Sequence, residues 1–100
     1  MNEHERLWHV TVTLCGEPHD ADLVREALER LQNQVGFLHS LLYAPSTAEL
    51  QYWEEADSML DAAALALRFW AEHRGVCGLA EWQVVGLEVL ERVTFQRRSV

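Results

Sequence analysis

Twice along this chain an alternating apolar stretch gives way to a helical pattern and then to a second alternating stretch, once over residues 7–44 and again over 48–93. Few architectures accept that order. Strand, helix, strand, strand, helix, strand predicts an α+β split βαβ sandwich, with both helices on one face of a four-stranded antiparallel sheet. The other face is then left open, and with 100 residues one core suffices. The whole chain, 1–100, reads as a single domain.

The first strand, 7–15, sends Trp8, Val10, Val12 and Leu14 to one side and His9, Thr11 and Thr13 to the other. Asp20 is a good N-cap for a helix over 21–34 with an apolar stripe of Leu23, Val24, Ala27, Leu28 and Leu31. Gly36 suits a chain reversal into a strand over 37–43, and Pro45-Ser46-Thr47 a turn into another over 48–54. Asp57 or Ser58 caps a second helix, for which Gly75 supplies a left-handed stop. The last strand spans 81–93, with a bulge at Gly86, and 94–100 is expected to fray.

The formal charge of -8 disfavours nucleic acid, because a phosphate-binding surface must replace condensed counterions with its own cations. No apolar run approaches the roughly 18 residues that span a bilayer, and Met1-Asn2-Glu3-His4-Glu5-Arg6 lacks the shape of a secretion signal, so a cytoplasmic location is expected. Cys15 and Cys77 belong to no CxxC pair and read as two free, buried thiols. All eight cationic residues are Arg, a bias attributed to genome composition rather than to a task.

If the strands lie in the order 4-1-3-2, the first and third are central and the others are edges. The open face then collects His9, Thr11, Thr13, Phe37, His39, Leu41, Tyr43, Gln51, Trp53, Trp82 and Val84. Such a ring-rich surface predicts a partner or a ligand. Two sheets packed face to face would enclose a pocket lined by His9, His39, Tyr43 and Trp53, with Trp82 nearby, and the long apolar fourth strand invites pairing at its edge. A one-residue slip in the second or third strand would instead return Phe37, Tyr43 and Trp53 to the core.

His9 and His39 would stand about 10 Å apart with a strand between them, too far to share a metal, and no third ligand is evident. Neither a metal nor a cofactor is expected. His19 with Glu17 and Asp20 reads as a capping loop, and Glu54, Glu55, Asp57 and Asp61 as acids favoured beside a helix N-terminus. No serine lies in a GxSxG context, Cys15 has no helix N-terminus to activate it, and no glycine loop cradles phosphate.

The segments Glu49-Leu50-Gln51-Tyr52-Trp53-Glu54-Glu55-Ala56-Asp57, Asp61-Ala62-Ala63-Ala64-Leu65-Ala66-Leu67-Arg68-Phe69-Trp70 and Trp82-Gln83-Val84-Val85-Gly86-Leu87-Glu88-Val89 resemble small, uncharacterised actinobacterial proteins of ferredoxin-like plan. That resemblance implies the βαββαβ fold and brings no activity with it. The loop Cys15-Gly16-Glu17-Pro18-His19-Asp20 has neither the arginine of acylphosphatases nor the paired cysteines of heavy-metal-binding domains. Trp53 could stack a base as in RNA-recognition domains, but the acidic charge opposes it. Amino-acid-sensing regulatory domains share the length and the turn after the first strand, without a diagnostic motif. The expectation is a self-associating homodimer that binds a small molecule or a protein through the open sheet face. Its alternative is a dimeric barrel enzyme using His9 or His39 as acid or base.

Overall fold

In the computed structural model, which describes residues 6–98, the chain is α+β. β1 (Leu7–Cys15), α1 (Ala21–Gln34), β2 (Leu38–Ala44), β3 (Thr47–Glu55), α2 (Met59–Cys77), β4 (Gln83–Glu91) and α3 (Arg92–Arg98) follow in order. The four strands form one open sheet, β2-β3-β1-β4, antiparallel at every junction. β1 and β3 are therefore central, and β2 and β4 are edges.

Alternation in the central strands decides which face is sealed. Val10, Val12 and Leu14 of β1 stand opposite Tyr52, Leu50 and Ala48 of β3, and all six are buried beneath α1 and α2. α1 contributes Val24, Ala27, Leu28 and Leu31 to that core, and α2 contributes Ala62, Ala66, Phe69, Trp70 and Cys77. Both helices start where a side chain can accept from an otherwise orphaned amide: the Asp22 amide donates to Asp20 Oδ1 (3.0 Å) and the Asp61 amide to Ser58 Oγ (3.1 Å).

Four expectations need correction. α2 runs through Gly75 and stops at Gly78, whose φ of 100° is the left-handed conformation a helix stop requires. Cys77 explains the extra turn, since it is fully buried and prolongs the inward stripe. Second, Trp82 precedes β4 and sits in the core at 0% exposure; its indole donates to the Glu17 carbonyl (3.1 Å) and its own carbonyl accepts from Trp70 Nε1 (2.9 Å). A Cβ at Gly16 would fall 2.3 Å from the Trp82 ring, so only glycine fits under it.

Third, an irregularity between Leu38 and Ser40 shifts the register of β2, placing Leu41 opposite Leu50 and Tyr43 opposite Ala48. Cross-strand partners share a face, so Leu41 and Tyr43 lie on the helix side instead of the open one. Fourth, residues 92–98 form α3 where a frayed tail was expected from 94, while residues 99 and 100 lie outside the described residues. Beside Gly86, the β1–β4 register skips Val85, which makes the expected bulge.

Candidate functional site

The sheet face opposite α1 and α2 is occupied by the chain itself. α3 turns back over β1 and β4, and Phe95 stacks on His9 at a centroid distance of 3.9 Å and 23° between planes. Trp53, directly across from His9 in the sheet, meets both rings edge-on at 5.0 and 5.1 Å. His9 is consequently 2% exposed. Arg98 at the far end of α3 reaches Glu88 of β4 (3.1 Å), fixing both ends of the strap.

Beside this ring cluster runs a polar trough of about 440 Å³, lined by Thr11, Thr13, Glu49, Gln51, Glu88 and Arg98. Its charged and amide groups already engage one another, Arg98 with Glu88 and Gln51 Nε2 with Glu49 Oε1 (3.0 Å).

A different hollow opens where the strands are of unequal reach. β2 begins at Leu38, opposite Tyr52, whereas β3 continues to Glu55, so Trp53, Glu54 and Glu55 extend past the end of their neighbour. α2 passes above that extension. Between them lies a cleft of about 470 Å³, walled by Phe37, Phe69 and Leu65 and bordered by Trp53, Glu54, Glu55, Glu72, Arg68 and His73. Its size falls within the roughly 300–1,000 Å³ common for small-molecule sites.

The cleft wall is built from stacked rings. Phe37 contacts Tyr52 (5.1 Å) and Phe69 (5.6 Å), and Tyr52 contacts Phe69 (5.5 Å). Tyr52 lies behind them, fully buried, and its hydroxyl has no hydrogen-bond partner among the described residues. Burial, followed by the charge of Glu54, pushes the Tyr52 hydroxyl pKa upward. Glu54 is itself raised, chiefly because partial burial penalises its charge. On α2, Arg68 faces Glu72 at 3.6 Å, and His73 Nδ1 is 2.8 Å from the Phe69 carbonyl, one turn back.

The five residues singled out from the sequence therefore part company. His9 and Trp53 come together, Tyr43 lies across the sheet on the helix side, and Trp82 is in the core. His39 falls at the β2 irregularity, and its side chain lies outside what is described. Phe37, expected on the open face, instead walls the cleft with Phe69, which the sequence reading did not single out. The spacing of Phe69 and His73, one helical turn apart at the end of α2, was the available signal. Nothing in the pattern of 92–98 announced Phe95 as the cover for His9.

The loop after β1 behaves as a structural clamp. His19 Nε2 meets Glu81 Oε1 at 2.9 Å and its ring stacks over Trp82. Glu81 is held below the usual carboxylate range by its own backbone amide and then by His19. Burial pushes the Cys77 thiol up, away from the thiolate a nucleophile needs. Among the described residues no three His, Cys, Asp or Glu side chains gather as a metal site, and no helix is long and apolar enough to cross a membrane.

A family model described as a domain of unknown function (DUF8830) matches residues 7–100, nearly the whole chain. No curated protein matches the sequence.

Proposed function

Because the chain belongs to the DUF8830 family, a membership that carries no activity, we propose from its geometry that it is a non-catalytic module binding a small molecule in the cleft between β3 and α2. The observation that carries this reading is the aromatic wall of Phe37 and Phe69 beside an opening that β2 is too short to fill. Concave, ring-lined sites with a few polar groups at the rim suit ligands of drug-like size. The sheet face named by the sequence is a weaker candidate, since α3 covers its aromatic half.

The test is a fragment screen by protein-observed NMR on the full chain, with the ring resonances of Phe37 and Phe69 as reporters. Binders should shift Phe37 and Phe69 together, and Leu65→Trp, which fills the cleft, should abolish those shifts while leaving the thermal melt within a few degrees. Shifts scattered evenly over the surface, or centred on Thr11 and Gln51, would overturn it.

The strand order and the position of α1 and α2 support a ferredoxin-like plan to which α3 is added. Self-association belongs to the same proposal, moved from the covered face to the outer edge of β4, where Val85 and Leu87 are exposed. Light scattering should give twice the chain mass, and Leu87→Arg should halve it. A cytoplasmic location fits two free cysteines, of which Cys77 is buried as expected and Cys15, at the end of β1, is exposed instead. The enzymatic alternative asks His9 to meet a substrate from beneath Phe95, which would require α3 to lift.

A further inference from the structure

Independently of the cleft, and using none of its residues, we propose a second site in the polar trough on the opposite sheet face, one that takes a neutral sugar. Its hydroxyls would lie over Thr11 and Thr13. The register fixes the layout: Thr11 of β1 stands between Gln51 of β3 and Glu88 of β4, and Thr13 between Glu49 and Gly86. The five side chains point away from α1 and α2, because they alternate with the buried Val10, Val12 and Leu14 and their partners. Neighbouring groups are then about 4.8 Å apart across the strands and about 6.6 Å apart along them, the scale on which hydroxyls spread around one pyranose ring. Gly86 adds no side chain, and a Cβ there would stand 3.3 Å from Thr13 Oγ1, so the glycine keeps that hydroxyl open on the β4 side.

Hydrogen-bonding capacity selects the ligand. Glu88 uses Oε2 on Arg98 and Glu49 uses Oε1 on Gln51, which leaves each carboxylate a second oxygen. The Thr11 and Thr13 hydroxyls have no partner among the described residues, and each offers one donor and two lone pairs. Donors and acceptors therefore alternate over a small area, and a sugar hydroxyl, itself both, answers either. An anion would meet Glu49 and Glu88. A cation would use the carboxylates, leave both threonines unanswered and face the guanidinium of Arg98, 3.1 Å from Glu88. The apolar side of a sugar is provided for as well: a smaller hollow of about 240 Å³ shares Thr11, Gln51, Glu88 and Arg98 with the trough and adds Leu90 and Phe95, a surface for ring C–H groups.

The experiment titrates methyl glucopyranoside, methyl glucuronide and methyl glucosaminide, which are neutral, anionic and cationic at pH 6, into the full chain and follows the amides of Thr11, Thr13 and Gln51 by NMR. The neutral sugar should bind about tenfold more tightly than the glucuronide and no more weakly than the glucosaminide. Thr11→Val and, separately, Thr13→Val keep the shape, suit a strand and remove one hydroxyl. Each should weaken the neutral sugar about fivefold, the worth of one hydrogen bond, and Leu65→Trp, which fills the cleft, should change nothing here. Melting curves identify a variant that has merely lost its fold, and the other threonine then carries the test. Unchanged affinity in the folded valine variants overturns the proposal. A glucuronide that binds as well as the neutral sugar overturns it by giving control to Arg98, and a tighter glucosaminide by giving control to Glu49 and Glu88. Shifts at Phe37 and Phe69 in place of these amides also overturn it, by sending the sugar to the cleft. Absence of any shift with all three overturns the trough site and leaves the cleft standing.

Discussion

The two faces of this sheet are closed by different means. On one, α1 and α2 together set nine buried side chains against Val10, Val12, Leu14, Leu50 and Tyr52. On the other, a helix of seven residues, none of them buried, lays one ring on His9 and holds itself by Arg98. The first closure is a core; the second is a strap. Free energy should be distributed accordingly, since stabilisation follows the apolar area removed from water. The strap side is where local opening should cost least.

The largest expected effect is at Trp82, where the core side is knotted to the loop after β1. Trp82→Ala removes a fully buried indole, its hydrogen bond to the Glu17 carbonyl and the surface that closes over Gly16. A loss of about 3–5 kcal/mol in urea denaturation is expected. A loss below about 1 kcal/mol would mean that this ring is no part of the core, and the contrast between the two faces would fail.

Phe95→Ala applies the same kind of truncation to the strap. Phe95 is only half-buried, so about 1–2 kcal/mol should be lost, and the cooperative unfolding of the sheet and long helices should persist. Amide exchange should accelerate in 92–98 and little elsewhere. The His9 ring resonances should at the same time become sensitive to solvent. Global destabilisation as large as that of Trp82→Ala would show that α3 belongs to the core after all.

The contrast also explains what could be read from sequence. Period-two alternation in 7–15 and 47–55 fixes the facing of β1 and β3, because a one-residue slip would bury Thr11 and Gln51 and expose Val12 and Leu50. The α1 range followed from a cap and an apolar stripe, both local signals. Tyr43 escaped because one irregular residue in β2 reverses every later side chain, and bulges leave little trace in composition. Trp82 escaped because an apolar residue just before a strand looks like its first member. The cleft was hidden for a different reason: it depends on β2 ending before β3 does, a relation between strands that neither segment states alone.

The smallest effect tests the place where the core side runs out, at Glu54. This carboxyl stands opposite Trp8 on the helix-covered face, yet borders the cleft, and burial raises its pKa above the ordinary value of about 4.3. A raised folded-state pKa means that the native chain binds the proton more tightly than the unfolded chain does. Stability therefore falls as pH rises from the unfolded pKa through the folded one, and the ionised group opposes folding at neutral pH. Glu54→Gln should accordingly melt slightly higher than the parent at pH 7, with the advantage disappearing below about pH 4, where both states are protonated. Melting curves across pH 3.5 to 8 for the two proteins measure this directly. A variant that melts lower at pH 7 would show that the ionised carboxylate gains more from its surroundings, the Glu55 backbone amide among them, than burial takes away.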